Sequence, residues 1–594
     1  MKSLYSVKFF PENKKIKIVE GTSLIFAALK AGITINTPCG GKGTCGKCRV
    51  IISPPPSPTP QEKKIFTREE LKKGWRLSCQ HSVHSNLNVE IPLSSRYFPQ
   101  LILTEIQKGK ISLSPSVKRL SLSFPSFSLG EKSIKEKILP SHLHLDLYSL
   151  RNLAQSFRKG KTFSLVVNSQ EVLEVNQKGK LLGIAFDIGT TTVVGYLVNL
   201  ETGEILDTHA TTNPQIIYGD DVISRIEYAL QKEGLKNLRK VILEGVNGII
   251  RELLKRNRLS SQEVFEVSVA GNSAMLHFFL GVDPYPLSRI PFVTVWRDSL
   301  YFPARELGLE INERGWIYVL PLIASFVGAD TSGVILSTGI HKLKGTRMAV
   351  DIGTNGEIIL SVNGKLTVTS TAAGPAFEGA RISRGMRSEM GAIDGVKIRE
   401  ERVEVSVIGG GKPRGICGTG VVDAVSELLR VGILSETGRI NKRESLKGKI
   451  HPSLLSRVRE NAFVLVEGTD EILITQKDIR ELQLAKGAIR AGMNVLLKSK
   501  GYTEEDLDQL LLAGGFGNYV RKESAQRIGL IPSIKLEKVK IVGNAAGAGS
   551  YITLLSLKKR KELERLVENV EYVELGNKPE FMEEFSSNMY FPGG

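Results

Sequence analysis

Residues 37–48 read TPCGGKGTCGKC, and the fold of the N-terminal part turns on whether this loop holds phosphate or metal. Gly41, Gly46 and Lys47 stand at the spacing of a phosphate-binding P-loop. In such a loop the residue after the lysine is Ser or Thr, whose hydroxyl holds Mg²⁺. Here it is Cys48. Cys39, Cys45 and Cys48 are joined by Cys79 after a gap of thirty residues, so four of the five cysteines fall within residues 39–79. Five cysteines in 594 residues are too few for a disulfide scaffold, and clustering of this kind favours metal. A glycine-rich loop also suits a cluster, because it can aim backbone N–H groups at sulfur.

The spacing C-x5-C-x2-C followed by a distant cysteine resembles that of [2Fe–2S] ferredoxins. It has one residue more in the first gap than the plant type, as in the adrenodoxin-like variant. The resemblance implies Cys39, Cys45, Cys48 and Cys79 as the complete ligand set of one [2Fe–2S] cluster; a zinc knuckle or free thiols are the bland alternative. The flanks agree with a β-grasp domain. SLYSVKFF and KKIKIVE alternate like a hairpin. GTSLIFAALKAGI reads as a short helix capped by Thr22 or Ser23. KCRVIIS, WRLSCQ and NLNVEIP read as strands, and QEKKIFTREELKKG as a helix.

Length and composition bound the rest. A chain of 594 residues is too long for one core, so three or four domains are expected. With 41% hydrophobic and 24% charged residues it has the make-up of a globular protein. No apolar run approaches the roughly 18 residues of a membrane span. No signal-peptide apolar stretch precedes Pro11 and Glu12, so a cytoplasmic location is expected and a membrane partner is not. The net charge is +18, and residues 1–100 alone carry 16 Lys/Arg against 6 Asp/Glu. Such a module either has a Lys-rich surface or docks on acidic partners. Nucleic acid is not expected, since the basic residues are not interleaved with base-stacking aromatics.

From residue 181 the pattern changes. LLGIAFDIGTTTVVGYLVNLETGEIL and RMAVDIGTNGEIILSVNGKLTVTS are two versions of one unit: apolar strand, DIGT, second strand, turn, third strand. Asp187 and Asp351 are the equivalent aspartates. An aspartate ending a buried strand can hold hydrated Mg²⁺. The following Gly189, Thr190 and Thr191, and Gly353, Thr354 and Asn355, offer backbone and hydroxyl donors to phosphate. Glu357, beside the second DIGT, is a candidate catalytic base. LLLAGGFG ends a strand at Gly514, Gly515, Phe516 and Gly517, suited to an adenosine lying on backbone. AAGPAFEG, with Gly374, and GICGTGVVDAV lead into helices whose N-termini can donate to phosphate. VGNAAGAGSYITLL reads as a small-residue helix packed between two lobes.

Together these segments resemble the actin/Hsp70/sugar-kinase superfamily of two-lobed ATPases. With a ferredoxin in front, and with VAGNSAMLHFFLGVDPYPL, GPAFEGARI and GICGTGVVDAV, the whole chain resembles the reductive activators of corrinoid enzymes. The fold class expected is therefore multidomain α+β and α/β. A β-grasp ferredoxin occupies 1–94, a linker 95–112, a small α+β middle domain 113–178 and a two-lobed ATPase 179–594. The resemblance implies a [2Fe–2S] cluster, ATP and Mg²⁺ as cofactors. It implies one-electron reduction of a Co(II) corrinoid protein to Co(I), fed by an external low-potential donor; a homodimer stays open. The alternative is a kinase or chaperone-like ATPase with a fused ferredoxin redox sensor. Activators of 2-hydroxyacyl-CoA dehydratases are disfavoured, because only Cys417 lies beyond residue 79.

Overall fold

The computed structural model describes residues 3–35, 37, 39–92, 95, 104–106, 111–130, 133–160, 162–576 and 578–593. Most of the expected linker, 95–112, lies outside the described residues. Near the N-terminus five strands form one sheet in the order Lys14–Val19, Leu4–Phe10, Leu87–Glu90, Arg49–Ser53, Trp75–Leu77. Alternation in Leu4–Phe10 sends Val7 and Phe9 into a core shared with Leu24, Val50, Leu77 and Val89. Helix Leu24–Lys30 crosses this core, and of the two candidate caps it is Ser23 that accepts from the Phe26 N–H. The Pro-rich stretch after Ser53 ends in helix Pro60–Ile65, started by a capping box between Thr59 and Glu62.

A three-stranded sheet follows, in the order Lys118–Ser123, Thr162–Val167, Val172–Val175. Helix Leu147–Lys159 packs against it, with Asp146 as N-cap. His142 and His144, on one face in the sequence, gather no further ligand: among the described residues no three His, Cys, Asp or Glu side chains converge on a single-ion site.

The two DIGT units build two six-stranded sheets of the same order. In the first, Leu182–Ile188 is central. Thr192–Asn199 and Ile205–Thr212 lie antiparallel on one side; Val264–Gly271 and Trp316–Val319 run parallel on the other. In the second, Thr346–Ile352 is central, flanked by Gly356–Val362 and Lys365–Thr371 on one side and by Gln509–Ala513 and Val539–Ile541 on the other. Each sheet adds one edge strand of its own, Leu300–Pro303 and Glu571–Tyr572. The central strands are near-continuous apolar runs because helices cover both faces. Helix Ala545–Leu555 packs on the first sheet and against helix Ala329–Thr338. Small residues allow this close crossing: a Cβ on Gly549 would lie 2.2 Å from the Gly333 Cα. Among the described residues no helix is long and apolar enough to cross a membrane.

Helix Gln476–Ser499 carries an internal charge. Lys486 is buried, donates through Nζ to the Tyr590 carbonyl of the C-terminal segment and sits 5.0 Å from the Phe591 ring. Burial first, and the charge of Arg490 second, pull its pKa from 10.5 down to about 7. Between those values the folded chain binds fewer protons than the unfolded chain, so this lysine makes stability rise with pH through that window. Lys486→Met should flatten that part of the profile. The check is the urea midpoint measured from pH 7 to pH 10; an unchanged slope would exclude Lys486 as its source.

Candidate functional site

The two DIGT hairpins face each other across a cleft between the lobes. Asp187 and Asp351 both line it, as do Gly189, Thr190, Thr191, Gly353, Thr354, Asn355 and Glu357. Strand pairing explains why the acids meet. Asp351 lies directly opposite Glu357 in the hairpin register, so their side chains share one face of the sheet. Opposing like charges cost stability in an ordinary hairpin, and here they are retained at the mouth of a cleft.

The electrostatics follow from that crowding. Burial raises the Asp187 pKa to about 7, with the neighbouring Asp330 adding to it; a hydrogen bond from Asn544 acts the other way. Burial, then Asp330 and Asp187, hold Asp351 at about 7. Asp330 is pushed by burial to about 6, and Glu357 is raised well above its ordinary value by burial and by Asp330 and Asp351. No three of these carboxylates converge directly on one ion; lining one cleft, they can orient a hydrated divalent cation through its waters, and its charge would favour the ionised forms that burial opposes. Around them are donors for a polyphosphate. The Thr191 and Thr354 hydroxyls both donate to the Glu378 carboxylate, Thr191 at 3.0 Å, so one carboxylate spans the hydroxyls of the two hairpins.

Gly514, Gly515 and Phe516, the candidate adenosine platform, line the same cleft. A Cβ on Gly514 would stand 2.1 Å from Asp351 Oδ1, so glycine is required for the acid and this turn to coexist. The turn is the start of a short helix, Gly514–Tyr519, rather than an open loop. Phe516 and Phe377 rings lie 4.6 Å apart and give the cleft an apolar wall. Gly374 and Gly517 do not line it. Gly374 instead donates its N–H to the Thr354 carbonyl behind the hairpin, and Gly517 packs under Leu512.

Asp330, Asn272, Asn544, Glu378 and Arg387 line the cleft without having been singled out from the sequence. Asp330 sits in the first turn of helix Ala329–Thr338, among buried apolar and small residues. That isolated acid in GADTSGVIL was the available signal.

The four cysteines stand as two pairs. Cys45 hydrogen-bonds to Cys39, and Cys48 to Cys79. Cys39 is lowered to about 4, first by Cys45 and then by backbone N–H groups of Cys45, Thr44 and Gly43. Cys79 is lowered by Cys48, and the Gln80 side chain donates to its sulfur at 3.4 Å. A binuclear cluster needs two ligands on each iron, and two thiol pairs on one loop system, supplied with N–H donors, fit that requirement. Cys417 is buried in the second lobe beside Thr419.

The loop does not stand free. Ile25, Phe26, Leu29 and Cys79 pack against Ile216, Ile217, Tyr218 and Val241 of the first lobe. Lys42 pairs with Glu227 at 2.8 Å, and the Thr37 hydroxyl donates to the Ile216 carbonyl at 3.4 Å.

Three known families match parts of the chain. Residues 8–84 match the 2Fe-2S iron-sulfur cluster binding domain, 182–343 the RACo middle region, and 345–594 the C-terminal domain of RACo, the ASKHA domain. The corrinoid activation enzyme RamQ of Eubacterium limosum is 34% identical over 582 residues, spanning 94% of each protein. The chain belongs to the family of reductive activators of corrinoid proteins. A solved structure of this family, a reductive activator for a corrinoid, iron-sulfur protein, is 34% identical with a TM-score of 0.73 and covers 99% of this chain and 98% of its own. The [Co(II) methylated amine-specific corrinoid protein] reductase of Methanosarcina barkeri is 28% identical over 397 residues, 62% of this chain and 68% of that one. As a member of the family the chain has a [2Fe–2S] cluster and binds ATP with Mg²⁺. The family's middle region coincides with the first six-stranded sheet.

Proposed function

We propose that this chain is an ATP-dependent redox enzyme. It takes one electron from an external low-potential donor and delivers it to the Co(II) form of a corrinoid protein, leaving Co(I) for methyl transfer. The observation that carries the reading is the end-to-end match to the RamQ activation enzyme, in a chain that joins a ferredoxin cysteine frame to a carboxylate-lined nucleotide cleft. A [2Fe–2S] cluster supplies a one-electron store, at about −400 mV in plant-type ferredoxins. Cys39, Cys45, Cys48 and Cys79 would hold it, and the backbone N–H groups around Cys39 would stabilise its sulfur charge. Co(I) is the stronger reductant, so delivery is uphill, and each ~59 mV of deficit costs about tenfold in the equilibrium constant for one electron.

Asp187, Asp330 and Asp351 would orient hydrated Mg²⁺ on the phosphates. Thr191 and Thr354 would donate to the phosphate oxygens, and Glu357 would take the proton of the attacking water. The balance is one electron lost by the donor and one gained by cobalt, with ATP hydrolysed alongside. The basic surplus of residues 1–100 supports an acidic donor.

The test mixes the full chain, a reductant and a Co(II) corrinoid protein, and follows the cobalt spectrum. The Co(I) band should appear with MgATP and stay absent with ADP. Cobalt that remains Co(II) while ATP is consumed would overturn the proposal and favour a kinase-like ATPase with a redox sensor.

A further inference from the structure

The ferredoxin surface and the nucleotide cleft are joined by one short segment, Asn213–Asp221. Its beginning is tied to the first phosphate hairpin: the Asn213 side chain donates to the Gly189 carbonyl at 2.8 Å, and its N–H donates to the Thr191 carbonyl at 2.8 Å. Asn213 is also the N-cap of the short helix Pro214–Tyr218. That helix is the surface on which the ferredoxin sits. A Cβ on Gly40, next to Cys39, would lie 2.5 Å from the Tyr218 carbonyl oxygen, so loop and helix are in backbone contact.

The segment's other end is tied to the opposite lobe. Asp220 pairs with Arg387 at 3.4 Å, and Arg387 lines the cleft. Arg225, fully buried, donates through Nε to the Gly219 carbonyl, while its Nη2 has no hydrogen-bond partner. Asp220, Arg225, Arg387 and Glu378 thus form one mutually interacting charge cluster between the phosphate site and the docking helix. At the cleft, Glu378 occupies the Thr191 and Thr354 hydroxyls, the groups a polyphosphate would use.

We propose that Asn213–Asp221 is a nucleotide-responsive docking surface for the protein's own ferredoxin domain, holding it without ATP and loosening when MgATP fills the cleft. An arriving phosphate takes the threonine hydroxyls from Glu378 and attracts the Arg387 guanidinium away from Asp220. Asp220 is then left buried without that counter-charge, a costly arrangement unless the segment moves. The bonds at Asn213 and Gly219 carry that movement to the Tyr218 carbonyl, against which Gly40 rests. With the domain parked, the loop bearing Cys39 and the flank of Cys79 are covered by the first lobe; with it released, they can meet a donor or an acceptor. Coupling of this kind is reciprocal, so whatever undocks the ferredoxin must tighten nucleotide binding by the same factor. The role in cobalt reduction rests on the function proposed above; the coupling itself does not.

The test therefore uses no corrinoid. The full chain with its cluster is examined by hydrogen–deuterium exchange, with and without a non-hydrolysable ATP analogue and Mg²⁺. Amides of 39–48 and 215–219 should exchange about five- to a hundredfold faster with the analogue, the usual range of such couplings. Ile25 lies outside the ferredoxin's own core and faces Ile216, Ile217 and Val241, so Ile25→Asp should undock the domain without unfolding it. This variant should show the fast exchange without nucleotide and bind the analogue at least about fivefold tighter by calorimetry. Lys42→Glu, at the exposed rim opposite Glu227, should shift both readouts the same way by less. Asp220→Asn should bind the analogue yet transmit no change to 39–48. Protection changes confined to 187–192 and 351–355, or an affinity unaltered in both Ile25→Asp and Lys42→Glu, would overturn the proposal.

Discussion

Asp187→Asn, Asp330→Asn and Asp351→Asn should each lower MgATP hydrolysis by about a hundredfold or more, the scale on which losing one preorganised electrostatic group acts in a buried site. The three carboxyls crowd one cleft, and burial raises each above the ordinary carboxylate range, with neighbouring carboxyls adding to it at Asp187 and Asp351. Without a cation this crowding costs stability, since the folded chain must keep protons on groups that the unfolded chain would release. Each asparagine relieves part of that cost while keeping side-chain size. The metal-free variants should therefore melt no lower than the parent, and at pH 8 somewhat higher, while turnover falls. Activity lost together with stability gained marks residues kept for function. The measurements are phosphate release and the thermal midpoint at pH 8 without Mg²⁺. Wild-type turnover in both Asp187→Asn and Asp351→Asn would end the claim that the two hairpins serve one nucleotide.

Much of this site was legible in the sequence, for identifiable reasons. DIGT twice over, each closing an apolar strand, announces two equivalent hairpins, and the shared strand order of the two sheets shows that they are one unit used twice. Glu357 was ambiguous because alternation alone does not tell which face of a hairpin is buried. The register opposite Asp351 puts it on the same face as that acid. Asp330 was not legible, because it reaches the cleft from a helix start far from either hairpin, and only the packing of that helix against Ala545–Leu555 brings it there. Arg387 and Glu378 lay in a glycine-rich stretch without periodicity, where no pattern assigns a direction to a side chain. The docking of the ferredoxin was invisible for a related reason. Ile25 reads as an ordinary core position of helix Leu24–Lys30, but its face is completed by Ile216 and Val241, nearly two hundred residues or more away in sequence.

Replacing Cys39, Cys45, Cys48 or Cys79 with Ser should abolish the [2Fe–2S] spectrum and all cobalt reduction, while Cys417→Ser should leave both intact. Serine offers a hydroxyl far harder to ionise than a thiol, and the iron that loses its thiolate keeps only one of its two protein ligands. The pairing in the structure sharpens the expectation. Cys39 and Cys45 form one pair and Cys48 and Cys79 the other, so a variant in either pair strips one iron and destabilises the shared cluster. Cys417 lies in the second lobe, in a different core from that of Cys48 and Cys79, so no iron of this cluster can depend on it. Basal ATP hydrolysis should survive every one of these substitutions, because the cleft is lined entirely by residues from 187 onward. Visible and paramagnetic-resonance spectra, iron content and phosphate release measured on the same samples check all three statements. Four irons per chain, or a cluster lost in Cys417→Ser, would refute the ligand set. A cluster-free variant that still produced Co(I) with ATP would show that the electron travels by another route. The ferredoxin seated on the nucleotide lobe would then be a sensor of redox state rather than the wire.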